Sequence, residues 1–255
     1  MSNSMSNWVP FDDVQCVITG GTGFIAHWLR NQSPIKVYYF NHLIYQQNWM
    51  TTNIKYFIHL APVPVDFIIE NAKRCNATVL FASSGSVYDP KPTDYCKMKL
   101  ADENKLLASG LDVRIARIFT TCGAHMKWDR YAIGKFIKAA IQRQPMMINA
   151  GITRSYMYGS DLAEWLWAIL LHGKPGSIYN VGSEGAVSLD RLGREISKHI
   201  TNTIISISKP VHQYDPHPYY VPDTIATRME LGLSINVPFE EAVRRTVEDY
   251  RNEQT

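Results

Sequence analysis

The chain has 255 residues, of which 45% are hydrophobic and 19% charged, and its formal net charge is +3. That length suits one core, or a core with a small lobe, rather than two full-size domains, and the balance excludes a disordered chain. With no dense Lys/Arg block nucleic acid is not a favoured partner; with no apolar run long enough to span a bilayer and no signal-peptide order in the polar segment 1–10, a cytoplasmic protein without a membrane partner is expected.

In chain order, the run 14–19 (Val-Gln-Cys-Val-Ile-Thr) is short, apolar and ends in glycines, which predicts a buried strand. Residues 23–30 have helical composition, and 36–40 (Lys-Val-Tyr-Tyr-Phe) read as a second strand. Two more apolar runs, 56–60 and 78–82, flank a helix at 65–74. A strong helix is predicted at 97–109, closed by Gly110, with a strand at 113–118 after it. Helices follow at 131–142, 161–171, 188–199 and 239–251, with a short strand at 177–181. Strands alternate with helices over most of the chain, the pattern of an α/β protein built on a Rossmann-type doubly wound parallel sheet. The stretch 204–222 departs from it, its second half being rich in Pro, His and Tyr. With the region after Gly123 it predicts a small C-terminal substrate lobe.

The four cysteines, Cys16, Cys75, Cys96 and Cys122, are scattered without a Cys-x-x-Cys pair, so free thiols are expected. Cys122 reads as a buried strand-end residue rather than the partner of His125. The histidines show no His-x-x-x-His or His-Glu-x-x-His spacing, and no metal is expected. Trp165 and Trp167, two apart, cannot share a helix face, and at least one is expected in the core.

Thr19-Gly20-Gly21-Thr22-Gly23-Phe24-Ile25-Ala26 follows the first strand and opens the first helix. A glycine turn in that position lets backbone amides approach a pyrophosphate, whose charge the helix N-terminus favours. Thr19, Gly20, Gly23, Phe24 and Ile25 are therefore candidate cofactor residues, against the alternative of a tight turn with no ligand. Asn41 and His42 stand where an acid usually ends the second strand. Asn41 can bind ribose hydroxyls without rejecting a 2′-phosphate, so NAD and NADP both stay open, with a lean to NAD. The expected division is a dinucleotide-binding unit, 1–123 with 156–182, and a smaller substrate-binding lobe, 124–155 with 183–255.

Tyr95 and Lys99 form a Tyr-x-x-x-Lys pair at the head of a helix, on one face because they are four apart. A free tyrosine is a poor base at neutral pH, but a neighbouring ammonium and a positive nicotinamide ring would favour its phenolate. Tyr95 is thus a candidate general acid/base for an alcohol or sugar carbonyl, and Lys99 would tune it and hold the nicotinamide ribose. The serines of Phe81-Ala82-Ser83-Ser84-Gly85-Ser86-Val87-Tyr88 lie at a strand end, where a parallel sheet places its ligands. Ser84 is the chosen hydroxyl to share the substrate proton, with Ser83 and Ser86 as alternatives; simple strand termination is the bland reading.

Together these segments resemble the extended branch of the short-chain dehydrogenase/reductase family, the NAD-dependent epimerases, dehydratases and reductases of nucleotide sugars. The matching pieces, in the family's order, are the glycine turn, His59-Leu60-Ala61, the Ser83–Tyr88 segment, Tyr95 with Lys99, and Arg117-Ile118-Phe119. Downstream come Arg154-Ser155-Tyr156 with Asp161, Tyr179-Asn180-Val181-Gly182, and Tyr220-Val221-Pro222-Asp223 followed by Glu230-Leu231-Gly232. The resemblance implies that Leu60, Ala61, Pro62 and Ser83 line the cofactor and that Phe119 sits beside the nicotinamide. It also implies a substrate site of Ser84, Ser86, Thr120 and Arg154, the arginine gripping the diphosphate of a nucleotide sugar.

The chain also departs from the family. The segment between the second strand and His59 is too short for the usual extra strand and helix, and the link from Ser84 to Tyr95 is reduced. The helix that often builds the family's dimer is trimmed, which leaves a homodimer open. Thr120 replaces an asparagine, Pro62 a small residue, and Asp89 a glycine. Gly85 and Ser86 stand where the 4,6-dehydratases carry an acid pair, so water elimination is disfavoured. The expected function is an NAD(P)-dependent epimerase or keto-reductase of a nucleotide-diphosphate sugar. The alternatives are a catalytically silent dinucleotide-binding protein and a reductase of a non-sugar carbonyl.

Overall fold

The computed structural model describes residues 14–40, 54–61, 63–208 and 218–254. The first half builds β1 (Cys16–Thr19), α1 (Phe24–Asn31), β2 (Val37–Phe40), β3 (Tyr56–His59), α2 (Val65–Cys75), β4 (Thr78–Ser84), α3 (Asp94–Leu107) and β5 (Val113–Ile118). The second half adds β6 (Thr121–Cys122), α4 (Ala132–Ile141), β7 (Pro145–Asn149), β8 (Thr153–Arg154), β9 (Met157–Tyr158), α5 (Gly159–His172) and β10 (Ile178–Val181). It ends with β11 (Val187–Ser188), α6 (Leu189–Ser197), β12 (Ile204–Ser208), β13 (Tyr219–Tyr220), α7 (Ile225–Leu231) and α8 (Phe239–Gln254).

A six-stranded sheet of order β2-β1-β3-β4-β5-β10 forms the centre, and every pairing in it is parallel. The expected Rossmann-type sheet is borne out. All four residues of β1 are buried, as a strand covered on both faces requires. Helices α1 and α5 cover one face through Ala26, Leu29, Leu162, Trp165, Leu166 and Leu170. Helices α2 and α3 cover the other through Val65, Ile68, Ala72 and Leu106. Trp165 and Trp167 are both buried; α5 is apolar nearly all round, as a helix enclosed by its neighbours must be.

From β1 the chain passes to β2 on one side and then returns to β3 on the other. The connections diverge between β1 and β3, and a parallel sheet opens its ligand crevice at such a point, beyond the carboxyl ends of the strands. The register brings those ends together in two steps: Thr19 pairs with His59 and His59 with Phe81, and three residues further on Ser84 pairs with Ile118 and Ile118 with Val181. On the far side, β2 is the edge strand among the described residues.

A third cluster of buried side chains joins Ile133, Ile137, Met146, Ile148, Leu192, Ile196, Val243 and Val247, drawn from α4, β7, α6 and α8. Its parallel pair β7–β12 was not anticipated from sequence, nor was α7, which packs on β10 and α5. β7 alternates exposed and buried over only five residues, Pro145 to Asn149, too short a run to stand out. The helix expected at 97–109 begins earlier, at Asp94, because the Thr93 hydroxyl caps it by accepting the Cys96 amide. Tyr95 and Lys99 therefore both lie within α3. The four cysteines are unpaired, and Cys16, Cys96 and Cys122 are buried. Among the described residues no helix is long and apolar enough to cross a membrane.

Candidate active site

Thr19 closes β1 and turns its hydroxyl to a neighbouring strand, 2.8 Å from His59 Nδ1. The other ring nitrogen, Nε2, lies 3.1 Å from the Val63 carbonyl oxygen and must donate to it. Nδ1 is then the acceptor and the Thr19 hydroxyl the donor. Burial, with Lys99 nearby, pushes His59 down to about 4, which keeps the ring neutral. The Thr19 oxygen in turn accepts the amides of Leu60 and Ala61, at 3.2 and 3.4 Å. This clamp sets the backbone of 60–61 against the glycine turn. A Cβ on Gly20, whose φ is +75°, would stand 3.1 Å from the Ala61 nitrogen, so the approach needs glycine. Gly23 is the N-cap of α1 and makes no side-chain cap bond, which leaves the first-turn amides of that helix without a protein cap.

At the end of β4, Ser83 and Ser84 diverge. The buried Ser83 hydroxyl donates to Glu103. Glu103 is also gripped by Arg117, whose Nε and Nη2 donate at 3.1 and 2.6 Å, and the Arg117 guanidinium stacks 4.6 Å over the Tyr88 ring. Ser83 is thus committed to a structural network, although other atoms of it line the cleft. Ser84 stays available. Its Oγ lies 2.9 Å from Ser86 Oγ, accepts the Ser86 amide at 3.2 Å, and interacts with the phenols of Tyr95 and Tyr220. Burial pushes Tyr220 up to about 12.

Tyr95 is 45% exposed, yet its phenol is raised above the ordinary value, by partial burial first and then by Tyr131. Arg130 and Ser84 pull it the other way. Arg130 is thus a cation that acts on Tyr95, from a loop outside the Tyr-x-x-x-Lys pair. Lys99 is buried, and its ammonium donates to the Ala82 carbonyl at 2.9 Å while lying 4.4 Å over the Phe81 ring. Burial lowers its pKa, against the pull of Asp102 and Glu103.

Phe119 follows β5 and stacks on Tyr220, ring centroids 4.7 Å apart. A Cβ on Gly85 would lie 2.5 Å from Phe119 Cε2 and Cζ, so the ring fills the space that a side chain at 85 would need. Arg154 pairs with Tyr220 in the small sheet β11-β8-β13, its guanidinium 5.9 Å from the Tyr220 ring centroid. Beyond Phe119 and Tyr220 a second cavity of about 490 Å³ opens between Tyr88, Asn180 and residues 218–223.

One cleft of about 390 Å³ gathers Gly20, Gly23, Phe24, Ile25, Leu60, Ser83, Ser84, Tyr95, Lys99, Phe119 and Thr120. Thr19 and Ala61 lie buried behind its wall, and Ser86 touches it through Ser84. Arg154 stands off behind Tyr220 rather than on the wall. Asn41 and Pro62 lie outside the described residues. Sequence reasoning missed the Thr19–His59 clamp and the cleft positions of Lys127, Arg130, Tyr131 and Tyr220. Tyr220 had a signal in its Tyr-Val-Pro-Asp segment; the loop cations had none.

A model of the NAD dependent epimerase/dehydratase family matches residues 42–182, more than half of the chain. The chain belongs to this family. UDP-glucuronic acid decarboxylase 1 of Arabidopsis thaliana is 29% identical over 206 residues, which is 71% of this chain and 47% of that protein. UDP-N-acetyl-alpha-D-glucosaminuronate decarboxylase of Bacillus cytotoxicus is 27% identical over 216 residues, 72% of this chain and 67% of the relative. The chain spans only part of the length of the curated relatives it matches, from 47% of the Arabidopsis protein to 67% of the Bacillus one. Bordetella bronchiseptica WbmF, solved with NAD+ and UDP, superimposes with a TM-score of 0.79 at 18% identity, covering 96% of this chain and 94% of that one. That likeness speaks for the fold.

The cofactor of the NAD dependent epimerase/dehydratase family is NAD, and this chain's residues fit it. The family match begins downstream of the glycine turn; there the fit comes from the geometry itself. Gly20 holds the backbone close to Ala61, and the uncapped amides of α1 suit a pyrophosphate.

Proposed function

We propose that this chain is an NAD-using oxidoreductase of a nucleotide-diphosphate sugar, an epimerase or keto-reductase in which Tyr95 moves the proton of the reacting hydroxyl. The observation that carries this reading is one cleft lined by the glycine turn together with Ser84, Tyr95 and Lys99. Residues 1–123 with 156–182 would hold the cofactor, and 124–155 with 183–255 would supply the substrate side.

Bound NAD supplies the hydride acceptor and donor and, when oxidised, a positive ring charge that favours the Tyr95 phenolate. The protein groups around Tyr95 hold the phenol above its ordinary value, so at neutral pH it stands protonated, ready to give its proton to a carbonyl oxygen in the reducing direction. In the oxidising direction it takes the substrate's hydroxyl proton, and the Ser84 hydroxyl orients that oxygen. Lys99 fixes α3 against β4 through Ala82. Arg154, with its planar fork, suits the diphosphate.

Among the described residues, no Asp or Glu lines the cleft. Elimination of water, which needs a carboxyl acid/base, is therefore not served, and Phe119 takes the room that an acid at 85 would occupy. Reduction of a keto sugar, or return of hydride to the opposite face, proceeds with Tyr95 alone. Loss of CO2 from a substrate whose carboxylate is one carbon removed from the new ketone, the chemistry in the names of the decarboxylase relatives, needs one proton more: Tyr95 returns its proton to the carbonyl oxygen on reduction, and water protonates the carbon that CO2 leaves.

Tyr95→Phe tests the assignment. Turnover should fall by about 10²–10⁴-fold, the usual worth of a positioned acid/base, while cofactor binding persists. Undiminished turnover would remove Tyr95 from the mechanism. If the wild type binds the dinucleotide but turns over no nucleotide sugar, the silent binding protein becomes the better reading.

A further inference from the structure

The described residues lining the cleft include Lys99, Lys127, Arg130 and His125 and no carboxylate. Lys127 has no task in the proposed chemistry, and Arg130 has none beyond its pull on Tyr95. Lys99 is engaged with Ala82, whereas Lys127 and Arg130 sit on the exposed loop between β6 and α4, on the same wall as Tyr95 and Tyr131. The Arg130 amide donates to the Lys127 carbonyl at 3.0 Å, which turns both residues within one bend.

The nearby acids are committed elsewhere. Asp129, between the two cations, is taken by Lys138 at 2.6 Å. Glu253 of α8 accepts the Trp128 indole N–H at 2.8 Å and the His125 amide, and so anchors the loop from behind. Among the described residues neither Lys127 nor Arg130 has a carboxylate partner. The Arg130 guanidinium lies 5.5 Å from the Tyr131 ring centroid, and a guanidinium beside a reacting centre without a carboxylate partner is a ready receptor for a planar anion.

The two arginines divide the site. Arg154 acts on Tyr220 and stands behind it, whereas Arg130 acts on Tyr95. A diphosphate held by Arg154 leaves Arg130 beside the sugar carbon that Tyr95 serves. We propose that Arg130, with Lys127, forms a subsite for a negative charge carried by the sugar itself, which makes the preferred substrate a nucleotide-linked sugar acid rather than a neutral hexose. This rests on the function proposed above. It adds that Arg130 reads a carboxylate on a carbon neighbouring the reacting one.

The test compares dissociation constants of UDP-glucuronic acid and UDP-glucose for the NAD-loaded protein, by calorimetry at low and moderate salt. The wild type should bind the acid about tenfold more tightly, the worth of one charge-assisted hydrogen bond. In Arg130→Gln, and further in the double variant with Lys127→Gln, that ratio should fall towards one, and Arg130→Lys should keep part of it. Both residues are exposed, and continued binding of UDP-glucose reports a folded site. A wild-type ratio near one overturns the proposal, as does a ratio that survives both replacements. Equal weakening of the two ligands also overturns it, because the cations would then be reading the diphosphate. If the wild type binds neither ligand, the nucleotide-sugar function falls along with the subsite.

Discussion

Replacing Gly85 with alanine places a methyl carbon 2.5 Å from Phe119 Cε2 and Cζ and 2.7 Å from Cδ2, about 1 Å short of an ordinary carbon–carbon contact. The ring has little room to retreat. It stacks on Tyr220 at 4.7 Å and faces Tyr88 at 6.4 Å, and the space beside its Cβ is kept by Gly182, where a side-chain carbon would come within 3.0 Å. Overpacking of this kind costs about 1–3 kcal/mol. Because Tyr220 and Tyr95 share Ser84, a displaced Phe119 should also lower turnover. Urea unfolding gives the stability change from the shift in midpoint at constant slope. Phe119→Leu removes the obstructing ring edge, so the pair should be strongly non-additive, with the double variant recovering much of the loss from Gly85→Ala. Gly85→Asp, which restores a dehydratase-like acid, should be worse than alanine. If Gly85→Ala lies within about 0.5 kcal/mol of the wild type and adds independently to Phe119→Leu, Phe119 does not occupy that space.

Glu103→Gln should destabilise the fold by about 3–5 kcal/mol, since it leaves Arg117, only 13% exposed, without its counter-charge against a carboxylate that is 1% exposed. A loss below about 1 kcal/mol in the same unfolding assay would mean that the ion pair is not buried in solution. His59 gives a pH signature. Its folded value of about 4 lies below the ordinary 6.5, so between those values the unfolded chain binds the extra proton. The stability is fully present above about pH 6.5 and is lost as pH falls towards 4, by up to about 3 kcal/mol. Unfolding midpoints at pH 7.5, 6 and 4.5 should fall accordingly, and His59→Gln should flatten the trend; equal slopes in the two proteins would contradict the neutral clamp.

The sheet was legible because its strands are buried on both faces, and Cys16–Thr19 and residues 78–82 therefore read as short apolar runs between amphipathic helices. The glycine turn was legible because backbone geometry there demands particular residues. β7, β12 and α7 were not: they are short, and tertiary packing decides them, on α4 and α6 for β7, on β7 and α6 for β12, and on β10 and α5 for α7. The same limit holds in the site. Ser84, Tyr95 and Lys99 could be chosen by spacing, and the cleft gathers all three. Spacing could not tell that the Ser83 hydroxyl turns back to Glu103, that Lys99 donates to a carbonyl, or that a cation acting on Tyr95 comes from Arg130, thirty-five positions downstream. Such contacts between segments distant in sequence leave no local pattern.

The most direct test of the central claim is the cofactor content of the protein purified without added dinucleotide, then denatured and assayed for NAD(H) and NADP(H). The account predicts NAD at close to one molecule per chain, held and recycled, for an epimerase, or an empty protein that the reduced dinucleotide stabilises against unfolding for a keto-reductase, which exchanges its cofactor at each turnover. A protein that is empty, and that neither NAD nor NADPH stabilises against unfolding, would contradict it.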